Sequence, residues 1–214
     1  MRAEKDIYIL LADAHIVVVE KPGGMLAVPG RGRDKQDCVT NRVKKLFPEC
    51  IDQPSVHRLD MYTSGLMVLA LTTDAHRHLS NQFEERSVVK CYTALLDGLI
   101  SGKSGRIELA FRLDPDNRPY QVYDPAQGKV GISTWKTLEI EKNRTRVEFT
   151  PVTGRTHQLR LHASHELGLN CPIVGDRLYG NGKEGDQMLL HASYLHFQHP
   201  YSEETLSFES KPPF

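Results

Sequence analysis

The sequence has little of several features that mark particular classes of protein. No apolar run approaches the roughly 18 residues that a membrane span needs, and the first one, Ile7 to Ala12, is too short for a secretion signal. The four cysteines form no C-x-x-C pair, so a zinc ribbon or a thioredoxin motif has no support. Charge of one sign is not in excess, since 27 Lys and Arg balance 27 Asp and Glu, which excludes a histone-like protein. We therefore expect a cytoplasmic protein with reduced thiols and no membrane association.

What is present is the composition of an ordinary globular protein. The chain has 214 residues, of which 39% are hydrophobic and 25% charged, values that disfavour disorder, collagen and coiled coils. A chain of this length forms one large domain or two small ones, and it can bury a sizeable core without disulfides.

Hydrophobic periodicity predicts more strands than helices. Helical spacing predicts helices over 36–47, from a cap at 72–74 through Phe83, and over 156–167. The strands come in consecutive runs, which favours an α+β fold with much antiparallel pairing over a doubly wound sheet. Strands are predicted at 7–11, 16–20, 65–71, 90–96, 106–111, 132–140, 144–149, 189–197 and 205–208.

The balanced total charge does not exclude a nucleic-acid partner, because a local cluster of cations suffices to contact phosphate. Residues 28–47 carry six cations against two carboxylates, a net charge of +4. Two interpretations stay open, a solvated loop and helix face or a phosphate-binding surface. The cations are Arg31, Arg33, Lys35, Arg42, Lys44 and Lys45, and the carboxylates are Asp34 and Asp37.

Two common kinds of catalytic site lack their motifs. His157, His162 and His165 lie close in sequence, but there is no H-E-x-x-H, and we expect no metal ion. His57, Asp60 and Ser64 could suggest a hydrolase triad, yet Ser64 is not in a G-x-S-x-G nucleophile elbow.

Two segments concentrate reactive side chains. The first, His57–Gly65, places the carboxylate of Asp60 in a loop before a buried strand. The second, Pro151–His162, has Arg155 and Arg160 around the start of a helix. An arginine beside an aspartate keeps the carboxylate ionised, and an ionised carboxylate can act as a nucleophile or base. From the residues alone, a structural Asp–Arg brace and an enzyme for an anionic substrate both remain open.

The motif His57-Arg58-Leu59-Asp60-x-x-Thr63-Ser64-Gly65 resembles the catalytic motif of RluA-type RNA pseudouridine synthases. The likeness extends over nearly the whole chain, in the order in which that family has its motifs, and Asn117–Pro119 makes the RluA branch itself the most similar. The opening motif, Asp13–Gly24, begins too near the first residue to leave room for an S4 RNA-binding domain before it, so we expect residues 1–214 to form one catalytic domain. The other similar segments are Asp13–Gly24, Lys90–Tyr92, Gly154–Arg160, Gly175–Gly180 and Leu189–Ala192.

The resemblance implies a fold, a reaction and a partner. The fold would be a bent, mostly antiparallel or mixed sheet, flanked by helices, with a central cleft. The enzyme would cleave the C1′–N1 bond of a uridine in a ribosomal or transfer RNA stem-loop, rotate the uracil and rejoin it through C5. No cofactor or metal is required, and we expect a monomer without an obligatory protein partner.

The resemblance also implies roles for individual residues. Asp60 would be the essential carboxylate, which either attacks the sugar or the base or removes a proton from the ribose. Arg160 would pair with Asp60. Tyr92 lies against the uracil, where an aromatic ring stacks on any base. Arg58 enters the RNA helix as the target uridine leaves it. The remaining substrate-binding residues are Leu159, which shapes the apolar side of the pocket, His57 and Arg155.

Several alternatives remain. Without the resemblance, Tyr92 would be interpreted as a tyrosine in a strand core, and His57 can serve only as a brace for its loop. An RNA-binding protein or chaperone on the same fold without catalysis is the chief alternative function, and a metal-dependent nuclease is a distant third.

Overall fold

The computed structural model of the protein describes residues 6–214, and this part contains ten strands and three α-helices. The helices are α1 (Val39–Leu46), α2 (Thr73–Glu85) and α3 (Gln158–Ser164). The strands are β1 (Tyr8–Ala12), β2 (Ile16–Lys21), β3 (Ser64–Ala70), β4 (Val89–Leu96), β5 (Ser104–Leu113), β6 (Gln121–Tyr123), β7 (Lys129–Glu141), β8 (Arg144–Pro151), β9 (Leu190–Gln198) and β10 (Thr205–Glu209).

The predicted α+β class is confirmed, and the predicted strands lie within a few residues of the observed ones. Two helices are shorter than predicted. Cys38 is extended, so α1 begins only at Val39, and residues 33–35 form a separate 3-10 turn. His157 has a left-handed backbone with φ of 57°, so α3 begins after it. The strand β6 was not predicted, because three residues are too few for a periodic pattern.

The chain divides into two compact units. Within the described residues, unit 1 comprises 6–90 together with His191–Pro213, and it holds β1, β2, β3, β9 and β10 with α1 and α2. Its strands pair antiparallel, except that β3 and β9 run parallel where Ser64 and Gly65 face His191 and Ala192. The core of unit 1 consists of Ile16, Val18, Leu66, Val68, Ala70, Ala75, Leu79, Val88, Leu195 and Phe197.

The helix α2 is fixed in unit 1 by its cap and by one polar side chain. The hydroxyl of Thr72 accepts from the amide of Ala75, as the predicted cap requires. The side-chain amide of Gln82 donates to the carbonyl of Gln198 at 2.7 Å and accepts from its amide at 2.9 Å. The side chain of Gln82 thus makes the two backbone hydrogen bonds that a neighbouring strand would otherwise make with Gln198, which is why a polar residue can be buried here. Phe83 is only partly buried.

Unit 2 comprises Cys91–Leu190 with Phe214. Its strands pair antiparallel in the order β4–β8–β7–β5–β6, and α3 packs on β5 and β7. No helix within residues 6–214 is long and apolar enough to cross a membrane.

Candidate active site

The loop that carries Asp60 belongs to unit 1 and leads directly into β3. Burial alternates along it, with Arg58 exposed, Leu59 only 5% exposed and Asp60 partly buried. Leu59 therefore anchors the loop while its two charged neighbours face the other way. The amide of Thr63 donates to the carbonyl of Asp60 at 3.1 Å, which closes a turn just after the carboxylate.

Lys21, the last residue of β2, fixes the same loop from inside the core. Its side chain is fully buried, and its ammonium donates to the carbonyls of Pro22 (3.0 Å), Met25 (2.8 Å) and Met61 (3.0 Å). The amide of Gly24 donates to the Met61 carbonyl as well, at 2.8 Å. A buried ammonium needs several acceptors to offset its lost hydration, so the residue next to Asp60 has a tightly specified position.

His57 is held as a neutral ring. Its Nε2 accepts from the amide of Val68 at 3.1 Å, so this nitrogen carries no proton and Nδ1 does. The ring stacks on Phe83 with centroids 4.6 Å apart. Burial, and then the positive charge of Lys90, lower the pKa of His57 from 6.5 to about 3. These contacts favour the brace among the two roles considered for His57, because Nε2 is committed to the backbone.

In unit 2, Arg160 forms a buried two-point ion pair with Asp176. The guanidinium Nε lies 2.7 Å from Oδ2 and Nη2 lies 2.6 Å from Oδ1, and the two residues are 3% and 1% exposed. Burial alone would raise the pKa of Asp176, but the hydrogen bond and charge of Arg160 outweigh it and the pKa is lowered. Oδ1 also accepts from the amides of Leu178 and Tyr179. The pair thus joins α3 to the Gly175–Gly180 segment.

The start of α3 is further fixed by Gln158. Its amide donates to the Ile132 carbonyl and the Ser133 hydroxyl, both at 2.9 Å, and its Oε1 accepts from Thr153 at 2.6 Å. These bonds place the first turn of α3 against β7. Leu159 is 7% exposed there, whereas Arg155 lies on the exposed loop before the helix.

Tyr92 lies on β4, partly buried, opposite Phe149 of β8. The residues expected in the site therefore occur in two groups, each held within its own unit. His57, Arg58 and Asp60 share one loop of unit 1, and Tyr92, Arg155, Leu159 and Arg160 belong to β4 and the α3 region of unit 2. The pairing of Arg160 with Asp60 stays a prediction.

Sequence reasoning missed Asp176 as a partner of Arg160. The signal was present in the Gly175–Gly180 segment, which resembles a family motif but received no role. Within residues 6–214, no group of three or more His, Cys, Asp or Glu side chains could hold a metal ion. His157 instead bonds the Tyr179 hydroxyl at 2.8 Å, and His165 accepts from the amide of Leu167.

His162 on α3 predicts a loss of stability in acid. It is fully buried, neither ring nitrogen has a hydrogen-bond partner within residues 6–214, and burial lowers its pKa from 6.5 to about 4. The unfolded chain therefore takes up a proton on this residue below pH 6.5 before the folded one does, so the contribution of His162 to stability falls by about 3 kcal/mol as the pH falls from about 6.5 to about 4. Urea unfolding of the wild type and of His162→Leu at a series of pH values, followed by the fluorescence of the single tryptophan, Trp135, measures this contribution.

In His162→Leu the loss over the same pH range should be smaller by about that amount. An equal loss in the variant and the wild type would show that other groups cause the acid sensitivity.

Comparison with known proteins places the chain in a family. The family model of RNA pseudouridylate synthases matches residues 15–165. The chain is 41% identical over 210 residues to the dual-specificity RNA pseudouridine synthase RluA of Haemophilus influenzae, over 96% of this chain and 93% of that protein. It is 40% identical over 212 residues to the protein of the same name from Escherichia coli K12, over 97% of this chain and 94% of that protein. The structure of human RNA Pseudouridylate Synthase Domain Containing 1 is similar with a TM-score of 0.78 and 29% identity, over 98% of this chain and 85% of that one.

The chain therefore belongs to the RNA pseudouridylate synthase family. Within the family it is an enzyme of the RluA type, which confirms the resemblance found in the motifs.

Proposed function

We propose that this enzyme converts specific uridines to pseudouridine in stem-loops of both ribosomal and transfer RNA, with Asp60 as the essential carboxylate. The observation that carries the proposal is the family match over residues 15–165, which includes the Asp60 loop. The relatives described above are named dual-specificity enzymes, and their likeness covers nearly the whole chain. We propose the same breadth of substrate here.

The roles follow from what each side chain can do. Asp60 sits in a loop whose backbone is fixed at Met61 by Lys21, so its carboxylate can be presented in one orientation. Tyr92 supplies a ring for the uracil, and Leu159 an apolar wall. Asp176 fixes the plane of the Arg160 guanidinium, which suits a group that must meet a carboxylate in one geometry.

Arg58 and Arg155 are exposed, as side chains that contact RNA must be. Extrusion of the target uridine costs a few kcal/mol of lost stacking and pairing, and the planar guanidinium of Arg58 can stack in the vacated space. Arg155, on the loop before α3, contacts phosphate.

A cationic loop, residues 30–36, supplies further phosphate contacts. The loop is ordered by its own bonds, since Gly30 donates to the Lys35 carbonyl at 2.8 Å and Gln36 donates to the carbonyls of Gly30 and Gly32 at 3.1 and 2.7 Å. Of the six cations in and beside this loop, two are neutralised: Arg42 pairs with Asp6 and Asp37, and Lys44 with Asp52. Within residues 6–214, no ion pair engages the exposed side chains of Arg31, Arg33, Lys35 and Lys45.

This difference predicts which cations bind RNA. Arg31→Gln/Arg33→Gln should weaken RNA binding and reduce the slope of log Kd against log salt concentration by about one unit for each phosphate that the variant no longer neutralises. The matched control Arg42→Gln/Lys44→Gln removes the same charge from cations that already have carboxylate partners. Its slope should change by less than half as much. Equal changes in the two variants would indicate that only the total charge of the region matters.

The decisive experiment for the function is release of tritium from RNA that contains 5-tritiated uridine. Rearrangement to a C5-linked uracil displaces the C5 hydrogen, so a pseudouridine synthase releases it and an RNA-binding protein or chaperone does not. Mapping pseudouridines in cellular RNA with and without the gene then identifies the target. Tight RNA binding without any tritium release would favour the non-catalytic alternative.

We propose that residues 1–214 act as one catalytic domain, as a cytoplasmic monomer without an obligatory protein partner. All four cysteines are free thiols, as a reducing compartment allows. Sedimentation of the enzyme with and without RNA tests the monomer.

A further inference from the structure

Four side chains of unit 1 form a chain of short hydrogen bonds that begins in the Asp60 loop. The hydroxyl of Ser64 lies 2.8 Å from Nδ1 of His191, and Nε2 of His191 lies 2.8 Å from the hydroxyl of Ser210. Ser210 in turn lies 2.7 Å from a carboxylate oxygen of Glu20. His191 is fully buried and Ser64 is 5% exposed. We call these four residues the His191 chain.

The His191 chain has one consistent direction. The carboxylate of Glu20 can only accept, so Ser210 donates to it and accepts from Nε2–H of His191. Nδ1 then carries no proton and accepts from the hydroxyl of Ser64. Burial lowers the pKa of His191, which favours the neutral ring that this arrangement requires. Each hydroxyl proton is therefore committed, and the charge of Glu20 orients the other three groups.

The His191 chain ends where the Asp60 loop enters β3. Ser64 lies four residues after Asp60 and pairs through its backbone with His191. The next residue, Gly65, has φ of 110°, and a Cβ there would lie 2.3 Å from the carbonyl oxygen of Ala192. The junction between the loop and β3 is thus packed directly against β9, with no room for adjustment.

Two successive residues of β2 hold the loop at two points. Lys21 binds the carbonyl of Met61, and Glu20 reaches Ser64 through the other members of the His191 chain. Successive side chains of a strand point to opposite faces of the sheet. The backbone just after Asp60 is therefore held from both faces of β2.

We infer that the His191 chain is a positioning device for Asp60, in which His191, Ser210 and Glu20 act through Ser64 on the orientation of the catalytic loop. The inference rests on the proposed role of Asp60. A misplacement of about 1 Å can cost an enzyme on the order of a hundredfold in rate. Loss of the chain should therefore lower the rate of the chemical step more than the affinity for RNA.

The protein contains a matched control at the other end of β9. His199 is 6% exposed, and its Nε2 lies 2.8 Å from Oδ2 of Asp13. Its Nδ1 accepts from the amides of Tyr201 and Ser202, so Nε2 carries the proton and donates to the carboxylate. His191 and His199 are thus both buried, with a carboxylate at the end of their hydrogen bonds, but only His191 reaches the Asp60 loop.

The test compares His191→Phe with His199→Phe, which both keep a ring and lose both nitrogens. Tritium release is measured with enzyme in excess over 5-tritiated stem-loop RNA, and Kd is measured separately. We expect His191→Phe to lower the single-turnover rate constant about 10- to 100-fold with Kd changed less than about threefold. His199→Phe should lower the melting temperature about as much as His191→Phe does, but it should leave the rate constant within about threefold of wild type. Equal rate losses in the two variants would overturn the inference.

Ser210 provides a milder pair of variants in case His191→Phe does not fold. Ser210→Ala breaks the His191 chain in the middle, whereas Ser210→Thr keeps the hydroxyl. A rate loss in Ser210→Ala that Ser210→Thr restores supports the inference, and an unchanged rate in Ser210→Ala contradicts it. Failure of the proposed function itself would look different, because Asp60→Asn would then retain activity or the wild type would release no tritium.

Discussion

An enzyme in which Asn replaces Asp60 is expected to lose pseudouridine formation while it still folds and binds RNA. The amide has nearly the size of the carboxylate but can act neither as a nucleophile nor as a strong base, so the single-turnover rate constant should fall by about a thousandfold or more. The loop should keep its structure, because the backbone carbonyls of residues 60 and 61 accept the bonds from Thr63 and Lys21 that fix it. Tritium release and Kd, measured on one stem-loop, separate the two effects.

Asp52→Asn is the control for Asp60→Asn. The side chain of Asp52 is 99% exposed and pairs with Lys44, so its loss should leave the rate constant unchanged. Activity of Asp60→Asn within tenfold of wild type would refute the assignment of Asp60.

The second large effect is expected for Asp176→Ala. Without the Asp176 carboxylate, Arg160, which is only 3% exposed, loses the two hydrogen bonds that it donates to this residue. A buried charge that loses its partner destabilises a protein by about 3–5 kcal/mol. The free energy of unfolding of the protein, followed through the fluorescence of Trp135, should fall by that amount. The variant should also lose activity, because the guanidinium of Arg160 is no longer fixed.

Glu108→Ala is the matched control within unit 2. Glu108 pairs with Arg106 at 3.1 Å, and both side chains are 54% exposed. Exposed pairs contribute about 0–1 kcal/mol, so this variant should unfold nearly as the wild type does. If Asp176→Ala cost less than about 1 kcal/mol, the pair would be replaceable by water and could not serve to orient Arg160.

The sequence predicted most of the fold because strand and helix periods are local signals. It extended α3 too far, since nothing in the residues around His157 reveals a left-handed backbone. The loop with Asp60 was predictable for a similar reason, because its charged residues are contiguous. Asp176 and the His191 chain were not, since their bonds join residues 16 to 190 positions apart, and no periodicity connects such distant positions.

The discontinuity of unit 1 also determines when the Asp60 loop can become ordered during translation. The pairing of β3 with β9 must wait until the ribosome has made β9, about 120 residues later, at a rate on the order of 5–20 residues per second. All of unit 2 except Phe214 is made in between. Because pairings this distant in sequence form late, a nascent chain carries Asp60 long before the partners of Ser64 exist. The contacts that hold the Asp60 loop therefore form in two stages: the bond from Lys21 can form early, and the bonds of the His191 chain can form only after the segment from His191 to Ser210 has been made.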